Sequence, residues 1–130
     1  FFRSRDGITG FETGPALFSV DQRHTAVLVE GDTLSVFYSQ AGDCPEHILC
    51  ATIDLRPDWL DWQAGEPVSV IQPETAYEGG DLPLLPSERG AIHSPARQLR
   101  DPAIFREEGR TFLLYSVAGE SGIAIAELHL

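Results

Sequence analysis

The sequence predicts an all-β fold, and three observations carry the prediction. A shift of 77 positions, without gaps, lays one part of the chain on another. The matching segments are short runs rich in β-branched and aromatic residues, separated by glycine and aspartate turns. No stretch sustains a 3.6-residue period with caps at both ends. In the repeat, Ala26-Val27-Leu28 falls on Ala103-Ile104-Phe105, Glu30 on Glu107, Val36-Phe37-Tyr38-Ser39 on Leu113-Leu114-Tyr115-Ser116, and Ala41-Gly42-Asp43 on Ala118-Gly119-Glu120. After a four-residue slip, Ala51 to Leu55 matches Ala124 to Leu128. A repeat of this length takes precedence over local propensity.

The strands follow in order. Thr25 to Glu30 forms the first, closed by a turn at Gly31-Asp32, and Thr33 to Gln40 forms the second. Ile48 to Leu55 makes a third, and Val68 to Ile71 a fourth, ended by Pro73, which cannot donate to a ladder. The second copy offers Ala103 to Arg106, Thr111 to Val117 and Ile123 to Leu128, and stops before a fourth strand. Four short antiparallel strands, repeated, describe β-propeller blades, about two in this chain: one over residues 24–73 and one over 101–130. Between them, residues 74–100 hold Pro83, Pro86, Pro95 and the Gly79-Gly80 pair, the composition of an irregular surface connector.

The chain of 130 residues has room for one domain with one modest core. Its 9 basic against 20 acidic residues leave a net charge of −11, which repels nucleic-acid phosphates and anionic lipid. No apolar run reaches the roughly 18 residues of a membrane span, and no basic-then-apolar leader is seen. Cys44 and Cys50 are too few for a secreted disulfide framework or a zinc site, which points to free thiols and a cytoplasmic setting. Neither a metal nor a cofactor is expected. Methionine is absent and the chain opens on Phe1-Phe2, so a processed or partial chain is expected. About 1.7 repeats cannot close a ring of four to eight blades. Completion by a longer protein, or by several copies as a homo-oligomer, is therefore expected.

At Arg100-Asp101-Pro102-Ala103-Ile104-Phe105, followed by Glu108-Gly109-Arg110 and the aromatic strand Thr111 to Ser116, the chain resembles the five-bladed propeller glycoside hydrolases of family 43 and the related family 32. The resemblance implies a carbohydrate ligand and acid–base hydrolysis of a glycosidic bond at the funnel of the ring. It also implies that Asp101 steadies the transition state and binds sugar hydroxyls, with Arg100 beside it. The family's general base has no counterpart in this sequence.

Read from the residues, glycoside hydrolysis needs two carboxyls in different protonation states. An Asp at the head of an inner strand suits that work, although such an Asp also ties down a turn. His24 occupies the position equivalent to Asp101, and Arg23 that equivalent to Arg100. His24 suits a sugar hydroxyl, and the two arginines suit orienting carboxylates. Glu78 and Asp81, in Tyr77-Glu78-Gly79-Gly80-Asp81, are candidates for a general acid and a sugar contact, since glycines admit a ligand close to the backbone. Asp43 and Glu120 are equivalent turn carboxylates, and Trp59 and Trp62 are read as packing rather than as sugar platforms. Two rivals stand beside hydrolysis: a non-catalytic carbohydrate-binding propeller and a self-assembling one.

Overall fold

The computed structural model describes residues 1–129. Within them the chain is all-β and antiparallel, with single 3₁₀ turns at Trp59–Asp61 and Ala76–Glu78 as its helical elements. An amino-terminal hairpin pairs β1 (Phe2–Arg3) with β2 (Glu12–Thr13). The first large sheet is a meander of β3 (Gln22–Glu30), β4 (Thr33–Gln40), β5 (Ile48–Asp54) and β6 (Val68–Ile71). The second is a meander of β7 (Arg100–Glu107), β8 (Arg110–Val117) and β9 (Gly122–Leu128). The sequence anticipated the order of strands in both meanders, four in the first and three in the second. It did not anticipate the amino-terminal hairpin, whose strands are too short to show a period. The expected span 101–130 ends at Leu130, outside the described residues. No helix among the described residues is long and apolar enough to cross a membrane.

Alternation along the strands gives each sheet two faces. In the first sheet, Ala26, Leu28, Phe37 and Cys50 lie opposite one another across the ladders and share a front face. Leu34, Val36, Tyr38, Ala51 and Ile53 share the back face. Leu113, Tyr115 and Val117 of the second sheet pack against that front face with Leu28, Phe37, Ile48 and Leu99, closing the main core. Leu17, Phe18 and Trp62 cover the back face, Phe18 meeting Tyr38 at a ring-centroid distance of 5.1 Å. The sheets therefore stack front to back, with β3 and β4 against β7. Arg106 and Glu30 join them at 3.2 Å on the exposed rim.

The tryptophans pack, as expected. Trp59 is buried under the guanidinium of Arg3 at 3.8 Å and fills the space that a side chain on Gly14 would take, and Phe1 lies edge-on to Trp62 at 5.3 Å. Cys44 and Cys50 are both free thiols, Cys50 partly buried against the core.

The amino-terminal hairpin is held by its turn. Asp6 accepts hydrogen bonds from the amides of Ile8 and Thr9 and the hydroxyls of Ser4 and Thr9, and those bonds drive its carboxyl well below the usual range. Gly79 and Gly80 serve the backbone rather than a ligand. Gly79 takes a left-handed φ of 87°, and a Cβ there would stand 2.7 Å from the Ala96 carbonyl, while one on Gly80 would collide with the Glu74 carbonyl. Gly80→Ala is expected to lower stability by about 1–3 kcal/mol, the range of overpacking, read as a shift in denaturant midpoint with unchanged slope.

Candidate functional site

The ladders of β3 with β4 and of β7 with β8 slip at the same repeat position. Register shifts fall between Arg23 and Ala26 and between Arg100 and Ala103. Each slip is a bulge, which inserts one residue and re-aims the side chains around it. A bulge also accommodates Pro102, which could not sit in a regular ladder. His24 and Asp101 take left-handed φ angles of 52° and 51°. Such a conformation costs a residue other than glycine about 1–3 kcal/mol and persists where the surroundings impose it. The two bulges aim these side chains at each other, and His24 Nδ1 stands 2.8 Å from Asp101 Oδ1. Ser116 Oγ donates to Asp101 Oδ2 at 2.7 Å, so both carboxylate oxygens have partners. Both side chains remain partly open to solvent, 39% and 37% exposed.

Beneath the pair lies a buried ion triad. Glu46, fully enclosed just before β5, receives Arg23 through Nε at 2.9 Å and through a second, shorter contact from Arg23 Nη2. Arg100 Nε approaches the same carboxylate at 3.3 Å. The Arg100 fork is completed by Glu120 at 3.0 Å, the Gly90 carbonyl at 3.2 Å and the Gln98 side-chain oxygen. Burial opposes ionisation of Glu46, but the hydrogen bond from Arg23, the Ser39 and Ser87 hydroxyls and the charge of Arg100 together outweigh it and hold the carboxyl below its usual value. The triad also ties the sheets together, since Arg23 and Glu46 belong to the first and Arg100 to the second.

A shallow depression of about 430 Å³ opens over this group, lined by Arg23, His24, Arg89, Gly90, Ala91, Asp101 and Glu120. The 89–91 segment divides it from a second cleft of about 390 Å³ beneath the connector, lined by Leu82, Pro86, Ile92, Pro95 and Arg97 among others. Among the described residues His24 Nε2 has no protein partner, so the pair offers a ligand one fixed carboxylate edge and one ring nitrogen. No three His, Cys, Asp or Glu side chains among the described residues converge as metal ligands.

Of the residues singled out by the sequence, the fold brings together His24, Asp101, Arg23 and Arg100. The two arginines do orient a carboxylate, as expected of the type. That carboxylate is the internal Glu46, and with side chains 8% and 1% exposed they have little left for a sugar. Glu78 is not at the depression. Its residue is 3% exposed, and Oε2 accepts from the amides of Glu74 and Thr75 and the Thr75 hydroxyl at 2.9–3.1 Å. Oε1 accepts from Tyr115 at 3.0 Å. Burial favours the acid form of Glu78, yet these bonds hold it below its usual value, the opposite of what a general acid requires. Its work is a capping box at the Ala76–Glu78 turn. Asp81 is exposed on the connector and does not line the depression.

Sequence reasoning missed Glu46, Ser116 as the anchor of Asp101, and Arg89. Ser116 was within reach, because the repeat sets it opposite Arg100 as Ser39 is opposite Arg23. Glu46 carried no signal beyond being a carboxylate beside an apolar strand.

The fold and site together define an all-β repeat protein of two stacked antiparallel sheets, with a polar His–Asp site where equivalent strands meet. No protein-family model matches the chain, and no solved structure matches it. The chain is 38% identical over 143 residues to an uncharacterized protein of Acanthamoeba polyphaga mimivirus, a match covering 98% of this chain and 40% of that protein. The chain thus spans about two-fifths of the length of the relative it matches.

Proposed function

We propose that the chain is a glycan-recognising part of a β-propeller of the glycoside hydrolase type, with Asp101 a substrate-facing carboxylate and His24 its partner. One observation carries the reading: residues 77 positions apart, at matching bulges and in the same left-handed conformation, meet at 2.8 Å above a solvent-open depression. Backbone strain of this kind clusters at functional sites, which supports the reading. The stacked meanders agree with two neighbouring blades, and the greater length of the mimivirus relative leaves room for the others.

In this reading Asp101 accepts hydrogen bonds from sugar hydroxyls, and its charge favours a developing oxocarbenium ion. Ser116 and His24 lock the carboxylate so that no reorganisation is needed when the sugar arrives. Hydrolysis needs a second carboxyl about 5–10 Å away across the bond. Glu120 shares the depression but is engaged by Arg100, so the remaining carboxyls would come from further blades. Binding without turnover is the second reading, favoured by the enclosure of Glu78, which takes the chain's own candidate acid out of play.

Asp101→Asn and His24→Gln are expected to leave the fold unchanged by circular dichroism and to weaken glycan binding about 10- to 100-fold, the worth of one charged hydrogen bond. Titration calorimetry against neutral oligosaccharides, with aryl-glycoside turnover in parallel, measures both. Failure of the unsubstituted chain to bind any glycan, or equal binding by Asp101→Asn, would remove the reading.

A further inference from the structure

The two sheets carry the same front face, and the structure covers one of them. On the 77-residue repeat, Ala26, Leu28 and Phe37 of the first sheet correspond to Ala103, Phe105 and Leu114 of the second. Pairing across the ladders adds Phe112, Ile123 and Ile125 to that second front face. Leu28 and Phe37 are 6% and 1% exposed, because the back face of the second sheet, with Leu113, Tyr115 and Val117, lies on them. Phe105, Ile123 and Ile125 are 49%, 77% and 61% exposed, with nothing upon them. Arg110, paired with Glu127 on the same face, lies over the Phe112 ring at 4.7 Å, and the exposed apolar residues that remain, in a chain of net charge −11, mark an interaction surface.

We infer that this face seats a third antiparallel sheet of the same repeat, supplied in cis, whose back face brings a Leu-x-Tyr-x-Val stripe like that of β8. The sheet-to-sheet interface already present argues for this occupant, since the same front-face positions receive a back-face stripe one repeat earlier. A second copy of the chain is a poor fit. Its equivalent back stripe, Val36 and Tyr38, is already covered by Leu17 and Phe18. The mimivirus relative, of which this chain matches 40%, has the length to carry such a sheet. The inference rests on the propeller arrangement proposed above and is independent of the sugar, so loss of glycan binding leaves it standing.

The test extends the full chain. Leu55 aligns with Leu128, so residues 1–128 continued by a second copy of 56–129 reproduce the natural linkage and add one sheet with its stripe. With Cys44→Ser and Cys50→Ala in both proteins, Ile125→Cys in the original sheet supplies a thiol probe. The expected result is a labelling rate at least about tenfold slower in the extended protein than in the chain alone, the protection of a covered site. An unchanged rate overturns the inference, whether the added unit is folded by circular dichroism or not. So does a chain that alone protects the probe as it dimerises in sedimentation, since the occupant is then a second copy. A second variant needs no extension. Phe105→Asp in the chain alone is expected to move Tm by less than about 4 °C, while Leu28→Asp at the covered equivalent lowers it by more than about 10 °C. Equal losses would show that the second front face is already filled.

Discussion

Glu46→Gln is expected to be the most damaging single change in the molecule, lowering stability by about 3–5 kcal/mol, the loss measured when one partner of a buried ion pair is removed. A domain of this size holds about 5–15 kcal/mol in total, so the variant should be largely unfolded in mild denaturant. The reason is geometric. Glu46 is fully buried and takes hydrogen bonds from Arg23 and the charge of Arg100, both buried themselves. The amide keeps the shape and removes the charge, leaving the buried Arg23 guanidinium without a counter-charge and Arg100 with that of Glu120 alone. Arg100 retains Glu120 and Gln98, while Arg23 keeps only neutral acceptors, the new amide's oxygen and the Glu88 and Gly90 carbonyls at 3.3 and 3.5 Å. Arg23→Met should therefore recover part of the loss in the Glu46→Gln background. Urea midpoints of the two single variants and the double variant measure that coupling, and strictly additive losses would show that the triad does not act as a unit.

Acid should unfold the protein through the same kind of carboxylate. Glu46 and Glu78 both sit below their ordinary value near 4.5 in the folded chain. A depressed folded pKa means that the unfolded chain binds the proton more tightly. The stabilisation is complete above the unfolded value and is lost as pH falls from about 5 through each folded value. The urea midpoint is expected to hold between pH 7 and 5 and to drop steeply below 4.5. Glu78→Gln isolates one share of the effect. Its amide turns an NH₂ or a weaker acceptor toward donors that now meet a charged oxygen, the amides of Glu74 and Thr75 and the Tyr115 hydroxyl. The cost at pH 7 is expected to be about 2–3 kcal/mol, with a shallower fall below pH 4.5 than in the parent. A variant whose acid limb matches the parent would show that Glu78 is not held as an anion.

Much of the architecture could be read from local pattern. The boundaries of β4 and β6 follow directly from their flanking Gly-Asp turn and Pro73, and the other five long strands came within a few residues. Where β3 and β7 run longer than the apolar pattern suggests, the added residues lie mostly at the bulges, where His24 and Asp101 are left-handed, with nothing in their composition to mark them as strand. The equivalence of His24 and Asp101 was also legible, because a repeat places equivalent residues at equivalent strand heads. Asp101, Arg100 and Glu78 looked alike as charged candidates in the sequence. Only in the fold do they separate into a solvent-facing carboxylate, a buried tie and a capping residue.

The sequence by itself determined the strand order, the repeat and the equivalence of two strand-head residues. These depend on side-chain alternation and turn chemistry within a few neighbours. The tertiary structure alone decided which charges turn inward, that Glu46 sits between two arginines 77 positions apart, and which of two matching apolar faces is covered. Burial and charge pairing are properties of what lies across the gap between sheets, and chain-local pattern carries no record of that partner.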